Sequence, residues 1–243
     1  MIRVKGAVFS VTPPLPEEYA TEYLRWHLLD HQPEQYQLPG LVLSQRWIAD
    51  GEYLSSRIVG DSPLGNVGNI VNYLIGDPVQ QTYDDFMELG PRLREIGRFP
   101  YRAPSLQVRL LGLLKWYASR RALISPEVVP FRPHHGVLVI IEEPVGGGLD
   151  DWLRWLHTDH HPAVLGVGGV VGAWMYGTVQ TWRLHPTAEG GPQYVTVVYL
   201  EEDPIAATQA LAPIVEERWA SGAVRPLFAG PLRTMVHWDA WPG

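Results

Sequence analysis

The sequence predicts an α+β protein made of two tandem ferredoxin-like units, each with the order β-α-β-β-α-β. The main observation is an internal repeat. Segments 25–33 and 154–162 share Arg-Trp, three residues, Asp-His, one residue and Pro, without a gap. Four further blocks match in the same order, among them 73–78 with 199–204. Such a match indicates a duplication. The predicted repeats span residues 1–120 and 133–243, with a proline-containing linker at 121–132.

In the first repeat, one helix is expected over 17–31, because apolar residues recur there at three-four spacing and Pro33 should end it. A second helix should run from Asp77-Pro78 to about Gly97, with Asp77 as its cap. Short apolar runs bounded by glycine and proline predict the four strands, at 4–11, 41–48, 69–75 and 106–116.

The second repeat predicts the same order, with helices at 149–160 and from Asp203-Pro204 onward. Its strands are expected at 136–142, 170–178, 193–200 and 233–238. Each four-stranded sheet would carry helices on one face, so its other apolar face must be covered. We therefore expect the two units to pack sheet to sheet, with a cavity between them.

Composition excludes several classes of protein. A formal charge of −7 and the absence of a basic block argue against nucleic-acid binding. The chain has no cysteine, which excludes disulfides and thiolate chemistry. The sequence shows no signal-peptide pattern and no apolar run of the roughly 20 residues that a membrane span needs. We expect a cytoplasmic protein that does not enter membranes.

The repeated motif resembles that of EthD-like proteins, which belong to the dimeric α/β-barrel superfamily. The resemblance covers the N-terminal part of each repeat, and the second copy departs from it at Gly168, where the first has Pro39. It implies a barrel that acts on a small molecule, and a homodimer is also expected. The superfamily contains muconolactone isomerases, cofactor-free monooxygenases, cyclases, dehydratases and haem-binding chlorite dismutases. The matching residues are Trp26, Asp30, His31, Pro33, Pro39 and Gly40, and then Trp155, Asp159, His160, Pro162 and Gly169.

Two equivalent histidines are the first candidates for catalysis. His31 and His160 lie at the end of a predicted helix on its buried stripe, where an imidazole could move protons near neutral pH. The alternative is that each caps its helix and packs under the neighbouring tryptophan. Tyr199 and His237 are further catalytic candidates. The second repeat holds more histidine, so we expect the site there.

Aromatic residues on the strands and in the motif are candidates for substrate binding, although they could equally form the core. No metal site is expected, because the two repeats place their additional histidines at different positions. No cofactor is expected either; haem, with His185 or His237 as axial ligand, is the alternative. The aromatic candidates are Trp47, Tyr73, Trp116, Trp155, Trp174, Tyr176 and Trp238.

The sequence therefore predicts a cofactor-independent enzyme that moves protons on a small apolar or aromatic compound bearing a carbonyl group. Isomerases, dehydratases and cyclases carry out chemistry of this type. Two alternatives stay open at this point: an oxygenase, cofactor-free or haem-dependent, and a small-molecule binding protein without activity.

Overall fold

The computed structural model describes residues 3–60, 64–101, 105–183 and 191–235, and these contain eight antiparallel strands that close into one barrel. Around the barrel the order is β1-β3-β2-β8-β5-β7-β6-β4, and β4 pairs with β1 again. The strands are β1 (Gly6–Thr12), β2 (Leu41–Ile48), β3 (Asn69–Ile75), β4 (Gln107–Ala118), β5 (Gly136–Pro144), β6 (Val170–Gly177), β7 (Tyr194–Leu200) and β8 (Val224–Thr234).

Each repeat supplies four neighbouring strands, and the two sets meet edge to edge. β4 of the first repeat pairs with β6 of the second, and β2 of the first pairs with β8 of the second. The β4–β6 junction is paired along most of its length, whereas the β2–β8 junction is paired at two residues of each strand only. The predicted β-α-β-β-α-β order of both repeats is confirmed.

The main helices lie outside the barrel and cover the outer faces of the sheets. Asp203 caps α7, as predicted: its Oδ1 accepts hydrogen bonds from the amides of Ile205 and Ala206, at 2.8 and 3.1 Å. Asp77 does not cap α4, which begins at Val79. The helices are α1 (Ala20–Trp26), α2 (Gln32–Gln35), α3 (Glu52–Ser55), α4 (Val79–Glu95), α5 (Leu149–Trp155), α6 (His161–Gly166) and α7 (Pro204–Glu216).

A five-residue π-helical segment interrupts the first helix of each repeat, at His27–His31 and Leu156–His160. In the first repeat the helix then continues through Pro33 to Gln35, so the prediction that Pro33 ends it was wrong. The physical reason is the change in hydrogen bonding: the amide of Gln32 already bonds to the carbonyl of His27, five residues back. A proline can follow where the regular ladder has been broken. π segments are uncommon and often mark functional sites.

The inside of the barrel is packed with apolar side chains. Since strand side chains alternate between the two faces, every second residue points inward. The predicted cavity between the sheets is therefore replaced by a core. Its large members, all fully buried, are Phe9, Trp47, Trp174, Tyr176, Tyr199 and Phe228.

Two details of the predicted alignment need correction. β8 begins at Val224 rather than at Arg233. The prediction was too short because Pro226 and Pro231 suggested that no strand was present. Both prolines are tolerated, because β8 pairs with β2 only at Arg233 and Thr234 and one of its edges is largely unpaired. The strand registers also place Leu74, not Tyr73, at the position of Tyr199. Both turns contain three residues, 76–78 and 201–203, but Pro78 precedes α4 whereas Pro204 is the first residue of α7, so aligning the two Asp-Pro pairs without a gap shifts the strands by one residue.

The segment predicted as a linker is packed against the barrel rather than extended. Its 3₁₀ helix Pro126–Phe131 receives hydrogen bonds from both repeats. Gln45 donates to the carbonyl of Pro130, and the indole of Trp174 donates to the carbonyl of Pro126, both at 2.9 Å. The limits of the two domains stay a prediction.

Candidate functional site

A cleft of about 790 Å³ lies on the outer face of the first repeat, between its sheet and the helices α1, α2 and α4. The sequence favoured a site in the second repeat, and that expectation stays a prediction. Drug-sized ligands commonly occupy pockets of roughly 300–1,000 Å³. Among the described residues, the cleft has no acidic lining. Its polar lining consists of Ser10, Thr12, His27, His31, Gln35, Arg46, Arg94 and Ser105, and its aromatic lining of Tyr23, Tyr73, Phe86 and Phe99.

A chain of four polar side chains runs along the floor of the cleft. The amide nitrogen of Gln35 lies 3.1 Å from His31 Nε2 and 3.2 Å from the hydroxyl of Tyr73. The same hydroxyl lies 3.2 Å from His27 Nε2. An amide N–H can only donate, so His31 Nε2 accepts and carries no proton. The proton of His31 is therefore on Nδ1, which faces Glu34 at 3.7 Å.

The π-helical segment explains why two histidines meet here. His27 and His31 are four residues apart and both project toward the sheet, where each is buried. Trp26 stacks on the ring of His31 with centroids 5.0 Å apart and planes 9° apart. Phe99 meets the same ring edge-on at 4.9 Å. These contacts fix the orientation of His31.

Burial sets the protonation of the two central groups. It lowers the pKa of His31 to about 4, and the positive charge of Arg46 acts in the same direction. Burial raises the pKa of Tyr73. At neutral pH the site therefore offers an uncharged imidazole as proton acceptor and a protonated phenol as hydrogen-bond donor.

The equivalent space in the second repeat is filled by a buried ion pair. Arg218 and Glu142 are both fully buried and are joined by two hydrogen bonds, of 2.9 and 2.5 Å. Arg218 also lies 3.1 Å from His160 Nε2 and donates to the hydroxyl of Thr196 at 3.1 Å. The indole of Trp219 donates to Glu142 at 2.7 Å. His160 is thus part of a closed structural network.

The sequence-predicted site residues are divided among several places. His31 and Tyr73 line the cleft. Trp116 packs partly buried against the barrel core. Trp155 lies next to His160, with ring centroids 5.2 Å apart and planes tilted by 41°, and lines a smaller groove of about 450 Å³. His237 and Trp238 lie outside the described residues. The remaining candidates are in the barrel core, away from the cleft: Trp47, Trp174, Tyr176 and Tyr199.

Sequence reasoning missed Arg46 and Gln35. Arg46 had a signal: it is the one charged residue of β2, at a position whose side chain faces the helices. Gln35 had none, because Pro33 placed it outside the predicted helix. Among the residues described, no group of three or more histidine, aspartate or glutamate side chains could hold a metal ion. No helix in the same part of the chain is long and apolar enough to cross a membrane.

Comparison with known proteins shows the fold. No protein-family model and no curated protein sequence matches the chain. Among solved structures it resembles a chlorite dismutase-like protein, TA0507, at a TM-score of 0.59 and 12% identity, over 98% of this chain and 97% of that one. An anthrone oxidase-like protein gives 0.57 and 11%, over 96% and 92%. Chlorite dismutase from Candidatus Nitrospira defluvii, in complex with imidazole, gives 0.56 and 12%, over 98% and 94%.

The chain has the dimeric α/β-barrel fold. Here one chain forms the whole barrel, since its two repeats supply four strands each. At these identities the likeness shows the fold alone.

The superfamily that the repeated motif resembles includes haem-binding proteins. An axial ligand must direct a nitrogen lone pair into the open space. His31 Nε2 accepts a hydrogen bond from Gln35, and His27 Nε2 faces the hydroxyl of Tyr73. In this arrangement the described part of the cleft does not fit haem, since Gln35 would first have to leave His31 Nε2 or Tyr73 would have to leave His27 Nε2. His185 and His237, the axial candidates from the sequence, lie outside the described residues.

Three buried histidines should make folding stability sensitive to acid. Burial lowers the pKa of His31 to about 4, of His160 to about 3 and of His161 to about 2, and in the last two Arg218 adds to the effect. Unfolded histidines bind protons below about pH 6.5, while the folded ones do not, so stability is full above that pH and is lost as pH falls. At pH 4.5 each should contribute a loss on the order of 2 kcal/mol.

The measurement is the free energy of unfolding in urea between pH 4.5 and 7.5. His161→Gln should reduce the slope of the free energy of unfolding against pH, because glutamine does not titrate. Glutamine is also the residue at the equivalent position of the first repeat, Gln32. The exposed His135→Gln is the control and should leave the slope unchanged. An unchanged slope in His161→Gln would show that His161 is protonated equally in both states.

Proposed function

We propose that the protein is a cofactor-independent enzyme that moves a proton on a small aromatic compound bearing a carbonyl group, in the cleft of the first repeat. The observation that carries the proposal is the pairing of a neutral buried imidazole with a buried phenol across one amide. His31 Nε2 would take a proton from the carbon next to the carbonyl, with Gln35 moving aside. Tyr73 would donate to the carbonyl oxygen as negative charge develops there.

The pKa shifts support this division of roles. A phenol with a raised pKa stays protonated, so Tyr73 remains a donor over the whole neutral range. An imidazole with a pKa of about 4 is a weak base, but it is in its reactive form at every pH above that value. The aromatic lining would hold a planar ring and keep water away from the anion that forms.

The test is exchange of the α-protons of 1-phenylpropan-2-one and phenylpyruvate in deuterated water, followed by NMR. The expected rate exceeds that without protein, is level above about pH 5 and falls toward pH 4 as His31 is protonated. Bound but unexchanged ketone would favour a binding protein without activity. No acceleration for any aryl ketone that binds would contradict the proposal.

An oxygenase is the second candidate, because one structural neighbour is described as anthrone oxidase-like. Removal of the same proton would give a carbanion that can react with oxygen. An oxygen electrode separates the two: an isomerase consumes none, and an oxygenase consumes about one molecule per turnover. The EthD-like resemblance and the homodimer stay predictions.

A further inference from the structure

The guanidinium of Arg46 is buried in the cleft without a carboxylate. Its side chain is on the outer face of β2 and the residue is only 3% exposed. Nη1 donates to the side-chain oxygen of Asn69 at 3.2 Å, and the group lies 5.3 Å from the ring centre of Tyr23. Nε is buried and has no hydrogen-bond partner. Among the described residues no aspartate or glutamate forms an ion pair with it.

In the second repeat the buried arginine has a carboxylate partner, and the first repeat lacks this carboxylate. Strand registers place Thr12 at the position of Glu142, since each lies six residues after the glycine that begins its strand pairing. Glu142 neutralises Arg218, whereas Thr12 has no charge and its hydroxyl is buried without a partner. The first repeat thus has an uncharged side chain, Thr12, where its duplicate has the carboxylate of Glu142. Each repeat has a buried arginine in this region, at different positions: Arg46 on β2 in the first and Arg218 after α7 in the second.

A buried charge is costly unless it is paired. Arg94, exposed at the rim of the cleft and lying 4.8 Å from the ring centre of Phe99, adds a second positive charge. The walls between the two arginines are aromatic: Tyr23, Tyr73, Phe86 and Phe99. The cleft therefore combines a cationic end with a slot for a flat apolar group.

We propose that the cleft binds an aromatic carboxylate, whose carboxylate group pairs with Arg46 in the place that Glu142 takes in the second repeat. The proposal rests on the proposed function only for the location of the site, and it names the substrate class. The ring lies between the aromatic walls. The carboxylate accepts from Nε of Arg46 and from the hydroxyl of Thr12, so that both buried donors gain partners.

The test uses a matched pair of probes, 2-naphthoate and 2-naphthamide, which share a ring system and differ in charge. Calorimetry on the wild-type chain should show naphthoate binding at least about tenfold more tightly, as expected for a charged hydrogen bond in a buried site. Neither probe undergoes α-proton exchange. A catalytically inert protein could therefore still confirm the carboxylate site, and an active one could still fail this test.

Two variants remove the anion site: one removes its positive charge, and the other occupies it with a carboxylate of the chain. Arg46→Met introduces the residue found at the equivalent position, Met175, and should weaken naphthoate binding about 10- to 100-fold while leaving naphthamide unchanged. Thr12→Glu restores the internal carboxylate and should exclude naphthoate to a similar degree while raising the melting temperature. Arg25→Met removes an exposed arginine of α1 and is the charge-matched control.

Equal affinity of wild-type protein for the two probes, or binding of neither, would overturn the proposal. So would naphthoate binding that survives both Arg46→Met and Thr12→Glu. If Arg46→Met does not fold, Thr12→Glu alone decides. Arg46→Lys, which keeps the charge, should retain naphthoate binding to within about tenfold.

Discussion

Glu142→Gln should destabilise the protein by about 3–5 kcal/mol, the largest effect on stability that the structure predicts. Glu142 is fully buried and accepts three hydrogen bonds, two from Arg218 and one from Trp219. Removing its charge leaves the guanidinium of Arg218 buried and unpaired. The pair itself need not stabilise the fold, because both charges were desolvated to form it; the cost arises from breaking it on one side.

The neighbouring residue provides a matched control. Glu143 pairs with Arg225 on the surface, where the arginine side chain is 61% exposed. Glu143→Gln should therefore cost less than about 1 kcal/mol. Urea unfolding of both variants at pH 7.5 measures the difference. Equal destabilisation by the two substitutions would show that Arg218 finds another partner or water when Glu142 is neutral.

The fold was predictable because its determinants are local or repeated. The motif around His31 and its copy around His160 indicate duplication, and glycine and proline mark the ends of most strands. What failed depended on geometry between distant parts of the chain. The prolines of β8 are tolerated because its edge toward β2 is largely unpaired, which no pattern within the strand reveals.

The half that holds the cleft was not predictable for the same kind of reason. A count of histidines favoured the second repeat. Its space is closed by Arg218 and Glu142, which are 76 residues apart in sequence and meet only after the barrel forms. Tyr73 and Tyr199 are offset by one residue in the aligned strands. Because side chains alternate between the faces of a strand, Tyr73 points toward the helices and Tyr199 points into the core.

His31→Asn should lower the rate of α-proton exchange by about 10²- to 10⁴-fold, because asparagine cannot accept the proton at the same position. The change should affect kcat more than KM, since His31 lies at the floor of the cleft while the aromatic walls and Arg46 hold the substrate. Loss of the stack on Trp26 should cost about 1 kcal/mol in stability, so the variant should still be folded at 25 °C.

His160→Asn is the matched control, because it changes the equivalent residue of the other repeat. His160 Nε2 meets Arg218 at 3.1 Å in a buried network, so its loss should cost about 1–3 kcal/mol in stability and leave the exchange rate within about twofold at low temperature. The two variants should therefore have opposite effects. His31→Asn should lose activity and keep most of its stability, and His160→Asn should lose stability and keep its activity. Activity lost in His160→Asn while it remains folded would move the chemistry to the second repeat. Activity kept in His31→Asn would leave His27, on the other side of the Tyr73 hydroxyl, as the base.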